Sequence, residues 1–158
     1  MTPDWRHPTI ARSEGVLFHR HATLEHVTAR CGSGLHYLAT PYTRLARDRA
    51  GRFCPARSLD AGIFAADWAA ALARRGVRVT SPIAQAVLMV GAGRARALGP
   101  DPFDDDFWAD WCRPMLAACD SVIVPPIAGW PQSRGIFAEV LQALDWGRPV
   151  HVIARGDP

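Results

Sequence analysis

A carboxylate stands in the middle of an otherwise apolar helical segment near the carboxyl end of the chain. Residues 129–144 read GWPQSRGIFAEVLQAL and contain Glu139, one of only three glutamates in 158 residues. On a helix of 3.6 residues per turn, Glu139 lies on or beside the stripe formed by Ile136, Val140 and Ala143. A fixed carboxylate in such a place can stabilise a developing positive charge or trap it covalently.

The periodicity leaves two interpretations of Glu139 open. On the buried stripe the carboxyl group is partly desolvated, which raises its pKa, while the nearby helix N-terminus favours the anion. At the edge of the stripe it is instead an ordinary exposed glutamate that pairs with an arginine such as Arg134 or Arg148. The pattern alone does not decide between them.

The elements that position this glutamate alternate between strands and helices. The segment LHYLATPYT predicts a strand over 35–39, and SLDAGIFAADWAAALARRG predicts a helix with Ser58 as N-cap, apolar residues at 59, 63, 66 and 70, and Gly76 just past its end. VRVTSPI then predicts a second strand that ends at 81–82. The Gly-, Ala- and Arg-rich stretch 91–102 has the composition of a loop.

The second half of the chain repeats the alternation. DPFDDDFWADWCRPMLAACD predicts a helix with Asp104 to Asp106 in its first turn, which Pro114 should kink or restart. SVIVPPI predicts a third strand, SRGIFAEVLQALDWG a helix capped by Ser133 and ended by Gly147, and RPVHVI a last strand. The alternation predicts an α/β fold with a parallel sheet covered on both faces.

The amino-terminal part of the chain has a different character. Residues 1–33 are polar, show little periodicity apart from a short helix predicted around 23–30, and are interpreted as an extension that packs on the domain or frays. The domain proper is expected to span 34–158.

Sites in open parallel sheets form beyond the carboxyl ends of the strands. This rule selects candidates after strand one, after strand two and on the approach to the Glu139 helix. Those candidates are Tyr37, Thr40, Tyr42, Ser81, Gly129, Trp130 and Ser133. Several have structural alternatives: core packing for Tyr37, an N-cap for Ser133, a local turn bond for Ser81. For Trp130 stacking on a base, contact with another subunit and capping of the core remain open.

Composition narrows the classes of partner. The net charge of +3 comes from 18 basic residues, all arginine, without a basic cluster, so neither nucleic acid nor a membrane is expected as a partner. Four cysteines without a CxxC pair indicate neither a zinc site nor a disulfide framework, and the run 104–106 is interpreted as a solvated helix start. No GxGxxG and no P-loop lysine occurs. We therefore expect a cytoplasmic protein without metal or organic cofactor.

Several segments resemble, in order, a little-characterised bacterial family (DUF1937-like) that is related to the nucleoside 2-deoxyribosyltransferases. They are HYLATPYT, TSPIAQA, MLAACDSVIVPPIAGWPQSRGIFAEVLQAL and GRPVHVI, and the spacing GW-x-x-S-x-G-x-x-x-E, which contains Gly129 and Gly135, is the most specific part. The resemblance covers about 35–153. It implies a flavodoxin-like three-layer sandwich and a homo-oligomer with the site near a subunit boundary.

The resemblance also implies a reaction and the residues that perform it. The substrate is a nucleoside or nucleotide whose N-glycosidic bond is cleaved or exchanged, with Glu139 attacking C1′, Tyr37 beside it and Tyr42 near the base. Arg134 could hold a phosphate. The alternative is a nucleotide-binding or regulatory module that has lost catalysis.

Two positions depart from the transferase pattern. Cys112 occupies a helix position at which the transferases carry an aspartate, and Ser133 replaces another aspartate six residues before the glutamate. A thiol is a poor substitute for a carboxylic acid near neutral pH. Asp110 could protonate the leaving base only if Pro114 shifts the phase of the helix, and Asp106 lies a turn earlier.

Overall fold

The computed structural model describes residues 2–95 and 99–155 of the chain. Its strands are β1 (Phe18–Ala22), β2 (His36–Leu38), β3 (Val79–Thr80), β4 (Ser121–Val124) and β5 (Val150–Ile153). Its helices are α1 (Pro8–Ser13), α2 (Leu24–Arg30), α3 (Pro55–Ala73), α4 (Pro82–Ala95), α5 (Asp105–Ala118) and α6 (Arg134–Asp145), with a 3₁₀ turn at Trp130–Gln132. None of the helices in these ranges is long and apolar enough to cross a membrane.

All five strands are parallel and lie in the order β1-β5-β4-β2-β3. The predicted α/β class with a parallel sheet is therefore confirmed. If β2 is counted as the first strand, then β2, β3, β4 and β5 are strands 1 to 4 and lie in the flavodoxin-like order 2-1-3-4. The fifth position is filled by β1, which comes from the amino-terminal segment and pairs with β5.

The sequence analysis did not predict β1. Its five residues are FHRHA, with the two ends, Phe18 and Ala22, buried and three polar residues between them, so no period-2 pattern is visible. His19 nevertheless pairs with His151 of β5. Strand pairing, which is a tertiary contact, therefore outweighs weak local propensity here.

Helices cover both faces of the sheet. On one face the side chains of β4 and β5 pack with α5, α6 and Ile10 of α1. On the other face Leu38, Ile123 and Ile153 pack with α2 and with Leu72 of α3. Helix α4 lies against α3, where a Cβ added to Gly62 would come within 3.1 Å of the side chain of Val87, so the glycine permits the close approach.

The predicted helix boundaries hold for α6 and are wrong for α3. The Ser133 side chain accepts from the backbone N–H of Ile136, as expected of an N-cap, and Gly147 follows the helix with φ of +70°. Helix α3, however, starts at Pro55 with Cys54 as N-cap, because a proline fits the first helical position. Ser58 is buried inside the helix.

The apolar residues at 59, 63, 66 and 70, from which helix α3 was predicted, lie on its outer side. Leu59 and Ile63 are exposed, and the buried residues of α3 before Leu72 are all small, with Ala61, Gly62 and Ala65 among them. Close packing against α4 requires small side chains, and this requirement decides which face is buried.

Two further expectations are corrected. The loop predicted over 91–102 is helical as far as Ala95, as the end of α4, and 96–98 lie outside the described residues. Of the two effects expected of Pro114, a kink or a restart, the restart is wrong, because α5 runs as one helix through the proline. The backbone carbonyl of residue 110 loses one helical hydrogen bond there and lies on the exposed side of α5, where water can satisfy it.

Candidate active site

The main cavity lies at the point where the strand order reverses. Strands β2 and β4 are neighbours, and the chain leaves them in opposite directions, towards β3 on one side and β5 on the other. The crevice beyond their carboxyl ends is the expected binding place in an open parallel sheet. A cavity of about 970 Å³ opens there, at the upper end of the size range of small-molecule sites.

Nine of the predicted site residues line this cavity. They come from β2 and the loop after it, from α5, from the loop before α6 and from α6 itself. They are Tyr37, Thr40, Tyr42, Cys112, Gly129, Ser133, Arg134, Gly135 and Glu139. Asp110, Ser81 and Trp130 are not among the lining residues.

The centre of the site is a hydrogen bond between two residues that are 102 positions apart. The Tyr37 hydroxyl donates to Oε1 of Glu139 over 2.5 Å. Tyr37 is buried in the middle of β2, whereas Glu139 is partly buried in the second turn of α6 and reaches the cavity. Both residues are held by regular elements, so the pair is preorganised.

The electrostatics of the pair follow from burial. Desolvation raises the pKa of Glu139 to about 7, and the hydrogen bond from Tyr37 opposes this rise by stabilising the anion. The pKa of Tyr37 is raised by its own burial and by the adjacent carboxylate, so the phenol remains a donor. Glu139 is thus poised to be part protonated and part ionised near neutral pH.

The interpretation in which Glu139 pairs with Arg134 or Arg148 is wrong. Arg134 pairs with Asp105, and Arg148 donates to the carbonyls of Leu116 and Cys119. Glu139 therefore faces Tyr37 rather than a cation.

Cys112 is the third residue at the centre of the site, beside Tyr37 and Glu139. Its thiol lies beside the Tyr37 hydroxyl, and burial raises its pKa to about 11. The thiol is neutral at physiological pH and adds no charge to the site. A carboxylate at this position would confront Glu139 directly.

The loop between β4 and α6 forms one wall. Gly129 has φ of +91°, a left-handed conformation that glycine adopts without strain, and it starts the turn Trp130–Gln132. Ser133 then caps α6. The Ser133 hydroxyl therefore has a structural partner within the helix.

Trp130 stands behind this wall. Its ring packs edge-on against Trp5 at 5.0 Å, and Trp5 also packs against Phe137 of α6. The indole N–H of Trp5 donates to the carbonyl oxygen of Pro131 over 2.7 Å. Of the open alternatives for Trp130, the structure shows the one in which it caps the core. The sequence analysis missed Trp5, for which only its type and the flanking prolines gave a signal.

The acidic residues of α5 lie on two sides of the helix, one towards the cavity and one towards solvent. Asp105 and Asp106 line the cavity, whereas Asp110 is exposed and pairs with Arg113 over 2.9 Å. Because Pro114 does not shift the helix phase, Asp110 stays outside. Asp105 and Asp106 are therefore the acidic residues of α5 that reach the cavity.

Cationic side chains surround the mouth of the cavity. Arg44, Arg47, Arg113 and Arg134 are among the lining residues. Arg47 lies over the ring of Phe103 at 3.8 Å and donates to Gly51, which fixes its position. The sequence analysis named only Arg134 of these arginines. Arg44 lies two residues after Tyr42, so proximity to a predicted site residue was the available signal.

The remaining predicted residues lie near the sheet edge. The Tyr42 hydroxyl is 2.9 Å from the Ser58 hydroxyl, and this bond ties the loop after β2 to α3. Thr40 and Ser81 are buried, and neither hydroxyl has a hydrogen-bond partner among the described residues. Thr40 lines the cavity and Ser81 lies just outside its lining.

The fold and the site define an α/β protein with a hydrogen-bonded tyrosine-glutamate pair at the switch point of a parallel sheet. The model of the family described as "Domain of unknown function (DUF1937)" matches residues 34–155, and the chain belongs to this family. No curated protein and no solved structure matches the chain.

Proposed function

We propose that this protein cleaves or exchanges the N-glycosidic bond of a nucleoside or nucleotide, with Glu139 as the nucleophile. The observation that carries the proposal is the hydrogen bond from Tyr37 to Glu139 in the wall of a cavity of ligand size. A carboxylate fixed in this way matches the positive charge that develops on the sugar as the base leaves.

The proposed reaction has two steps. Oε1 of Glu139 is occupied by Tyr37, so Oε2 attacks C1′ of the sugar while the base leaves with the electrons of the N-glycosidic bond. Water or a second base then attacks C1′ and releases the carboxylate. Because the chain lacks the transferase carboxylate at Cys112, we favour water over a second base as the acceptor.

The departing base needs a proton. Asp106 lines the cavity and Asp110 does not, so Asp106 is the better candidate for the general acid. Asp105 is engaged with Arg134, which holds the start of α6 against α5.

The charge at the mouth of the cavity favours an anionic substrate. Arg44 is an exposed residue of the lining, and guanidinium groups bind phosphate through two parallel hydrogen bonds. Arg134 is also exposed in the lining, but it is paired with Asp105. We therefore expect a nucleoside 5′-monophosphate to react faster than the nucleoside, and Arg44→Gln to remove that preference.

The decisive experiment incubates the purified protein with nucleosides and their 5′-monophosphates and follows free base by chromatography. Base release by the parent protein and none by Glu139→Ala would support the proposal. Full turnover by Glu139→Ala on a substrate that the parent cleaves would refute it. Glu25→Ala, at an exposed position of α2, is the matched control and should retain activity.

A second candidate is a nucleotide-binding module without catalysis. The observation that favours it is the neutral thiol of Cys112 beside the Tyr37–Glu139 pair, where the transferases carry a carboxylate. Binding of a nucleotide that survives Glu139→Gln, with no base released by the parent, would select this candidate. Cys112→Asp should then create measurable base release if the rest of the machinery is intact.

The family resemblance also leads us to propose a homo-oligomer. The exposed side of α3 offers a surface for it, because Leu59 and Ile63, one helical turn apart, are both exposed there. Light scattering on the purified protein, repeated with Ile63→Arg, measures whether this face joins two copies. An unchanged mass in the variant would rule out this surface.

A further inference from the structure

Three histidines from three different elements meet on the face of the sheet away from the cavity. His19 belongs to β1, His26 to α2 and His151 to β5. One ring nitrogen of each lies within 4.8 Å of the others. The ring centroids are 4.9 to 5.3 Å apart.

The histidine cluster is separate from the proposed active site. Val150 and Val152 of β5 point into the same core as Tyr37. His151 lies between them in the strand and so points to the opposite face, with Ile153 and Ile123. The sheet itself stands between the histidines and Glu139.

Two ring nitrogens of the cluster are buried without a partner. His151 is only 2% exposed, and neither its Nδ1 nor Nε2 of His26 forms a hydrogen bond within the described structure. A buried polar atom left unpaired destabilises the folded state, because it has lost its hydrogen bonds to water without replacing them. The simplest physical explanation for two such atoms side by side is that they bind a ligand.

His36 provides an internal comparison. It is equally buried and lies on the same face of the sheet, in β2. Its Nδ1 is 2.8 Å from the Ser121 hydroxyl, and its Nε2 is 2.9 Å from the Ser33 carbonyl. A purely structural histidine of this protein is thus fully satisfied, and the cluster differs from it.

The surroundings of the cluster favour uncharged rings. Burial and the neighbouring histidines lower the pKa of His151 to about 3, and burial also lowers the pKa of His19. Glu14 opposes the shift at His19, while Arg30 adds to it at both residues. Neutral imidazole is the form that binds metals.

We propose that His19, His26 and His151 bind a divalent transition-metal ion, with Zn²⁺ as the expected occupant. Three imidazole ligands and a water molecule complete a tetrahedral site, and imidazole also suits Cu²⁺ and Ni²⁺. Carboxylate-preferring ions such as Mg²⁺ are not expected, because the cluster contains no oxygen ligand from a side chain.

Metal binding requires one local movement. The rings of His19 and His151 are nearly parallel, at 8°, so their in-plane lone pairs do not converge on one point. His19 is partly exposed, and rotation about its outer side-chain torsion costs little. We expect His19 to turn its ring towards the ion, while His26 and His151 stay near their present positions.

The site would connect two parts of the chain. His19 and His26 lie before residue 34, outside the family match, whereas His151 lies inside it. The ion would therefore fasten β1 and α2 to the domain at the outer edge of the sheet. Its expected role is structural, and it does not depend on the proposed function.

The test is titration of the metal-free, reduced full-length protein with Co²⁺, which reports tetrahedral coordination through its visible ligand-field bands. We expect saturation at a single ion per chain, displacement by Zn²⁺, and no thiolate charge-transfer band in the near ultraviolet. With excess Zn²⁺ the melting temperature should rise by on the order of 5 °C.

Three variants and a control decide the outcome. His151→Gln, His26→Gln and His19→Gln should each weaken Co²⁺ binding at least tenfold; His19 and His26 are partly exposed, so their variants should fold even if His151→Gln does not. His21→Asn, an exposed histidine of β1 whose φ of +61° asparagine tolerates, should bind like the parent. Absence of a saturable band, a thiolate band, or equal binding by His26→Gln, His19→Gln and the parent would overturn the proposal.

Discussion

At the scale of single residues, the protein keeps a carboxyl group in a place that costs it stability. Glu139 is partly buried and is not paired with a cation, and its only charge-stabilising contact in the described structure is the Tyr37 hydroxyl. Natural proteins tolerate such a loss of stability where the group is needed for function. The same residue pair therefore makes a stability prediction and an activity prediction, which can fail independently.

Glu139→Gln should stabilise the protein in alkaline solution. A folded-state pKa of about 7, against an ordinary 4.5, means that the folded chain binds the extra proton between these values, so stability falls as pH rises through this window. Above pH 7 the cost is about 3 kcal/mol. Urea denaturation at pH 8 should show Glu139→Gln more stable by about 1–3 kcal/mol, with the difference vanishing near pH 4.5.

The control for this stability measurement is Glu25→Gln on the exposed side of α2. It should follow the parent protein at both pH values. Equal stability of Glu139→Gln and the parent at pH 8 would show that burial does not perturb the carboxyl group in the way that the geometry indicates.

Tyr37→Phe should shift the pH dependence of activity. The phenol favours the Glu139 anion, so its removal raises the pKa of Glu139 above about 7. If the carboxylate is the nucleophile, kcat/KM rises with pH through this pKa, and in the variant the ascending limb moves to higher pH. A pH-rate profile on a substrate found in the base-release assay measures the shift, and an unmoved limb would contradict the assigned coupling.

At the scale of elements, the phase of two helices decides which side chains meet. Helix α6 places Glu139 at the cavity, six residues after the Ser133 cap that starts the helix. Helix α5 presents Asp105, Asp106 and Cys112 to the cavity and turns Asp110 outward. Pro114 alters none of this, since the helix continues through it.

Asp106→Asn and Asp110→Asn form a matched pair, one turn apart on the same helix. Asp106→Asn should reduce base release by about 10²-fold if it protonates the leaving group, which is the low end of the usual contribution of general acids. Asp110→Asn should leave turnover unchanged, because its partner is the exposed Arg113. The reverse ranking in a turnover assay would return Asp110 to the site.

Trp5 packs against α6 and against the loop before it, and so supports the cavity wall. Trp5 contacts Trp130 and Phe137 and donates to Pro131, so Trp5→Ala should cost about 3 kcal/mol in urea denaturation and weaken ligand binding through the loosened loop. Trp146→Ala, at an exposed tryptophan, is the control and should cost less than 1 kcal/mol. Equal losses of stability in Trp5→Ala and Trp146→Ala would show that the Trp5 contacts do not hold the cavity wall.

At the scale of the whole molecule, the amino-terminal segment completes the sheet. Residues before 34 contribute an edge strand, two helices and a set of buried side chains to both faces. That set is Ile10, Phe18, Ala22, Leu24, Val27 and Cys31. Without the segment, β5 would become an unpaired edge strand, which promotes aggregation.

Deletion of residues 1–33 should therefore abolish cooperative folding. Burying one large apolar side chain is worth about 1.5–3 kcal/mol, and the sum over this set is comparable with the 5–15 kcal/mol total stability of a typical domain. Circular dichroism with thermal melting should show no cooperative transition, whereas removal of residues 1–3 alone should leave it near that of the parent. A folded 34–158 fragment would contradict the prediction.

The sequence alone was informative wherever structure depends on neighbours along the chain. The strand-helix alternation predicted the α/β class, and the Ser133 cap and Gly147 predicted the limits of α6, because capping and periodicity are local properties. It was wrong about Ser58, because Pro55 starts α3 three residues earlier, and about 91–95, which continue helix α4. It missed β1 because FHRHA carries no pattern outside its pairing with β5.

The sequence by itself therefore determined most of the elements after residue 34, their order and the end of the sheet at which candidate residues gather. Only the tertiary structure decided their partners: that Glu139 faces Tyr37 rather than an arginine, that Asp106 and not Asp110 reaches the cavity, and that three histidines meet behind the sheet. Such contacts join residues up to 132 positions apart, as for His19 and His151. Local periodicity reports which side of an element is apolar, whereas the partner across the core is chosen only when the packed elements exclude water together.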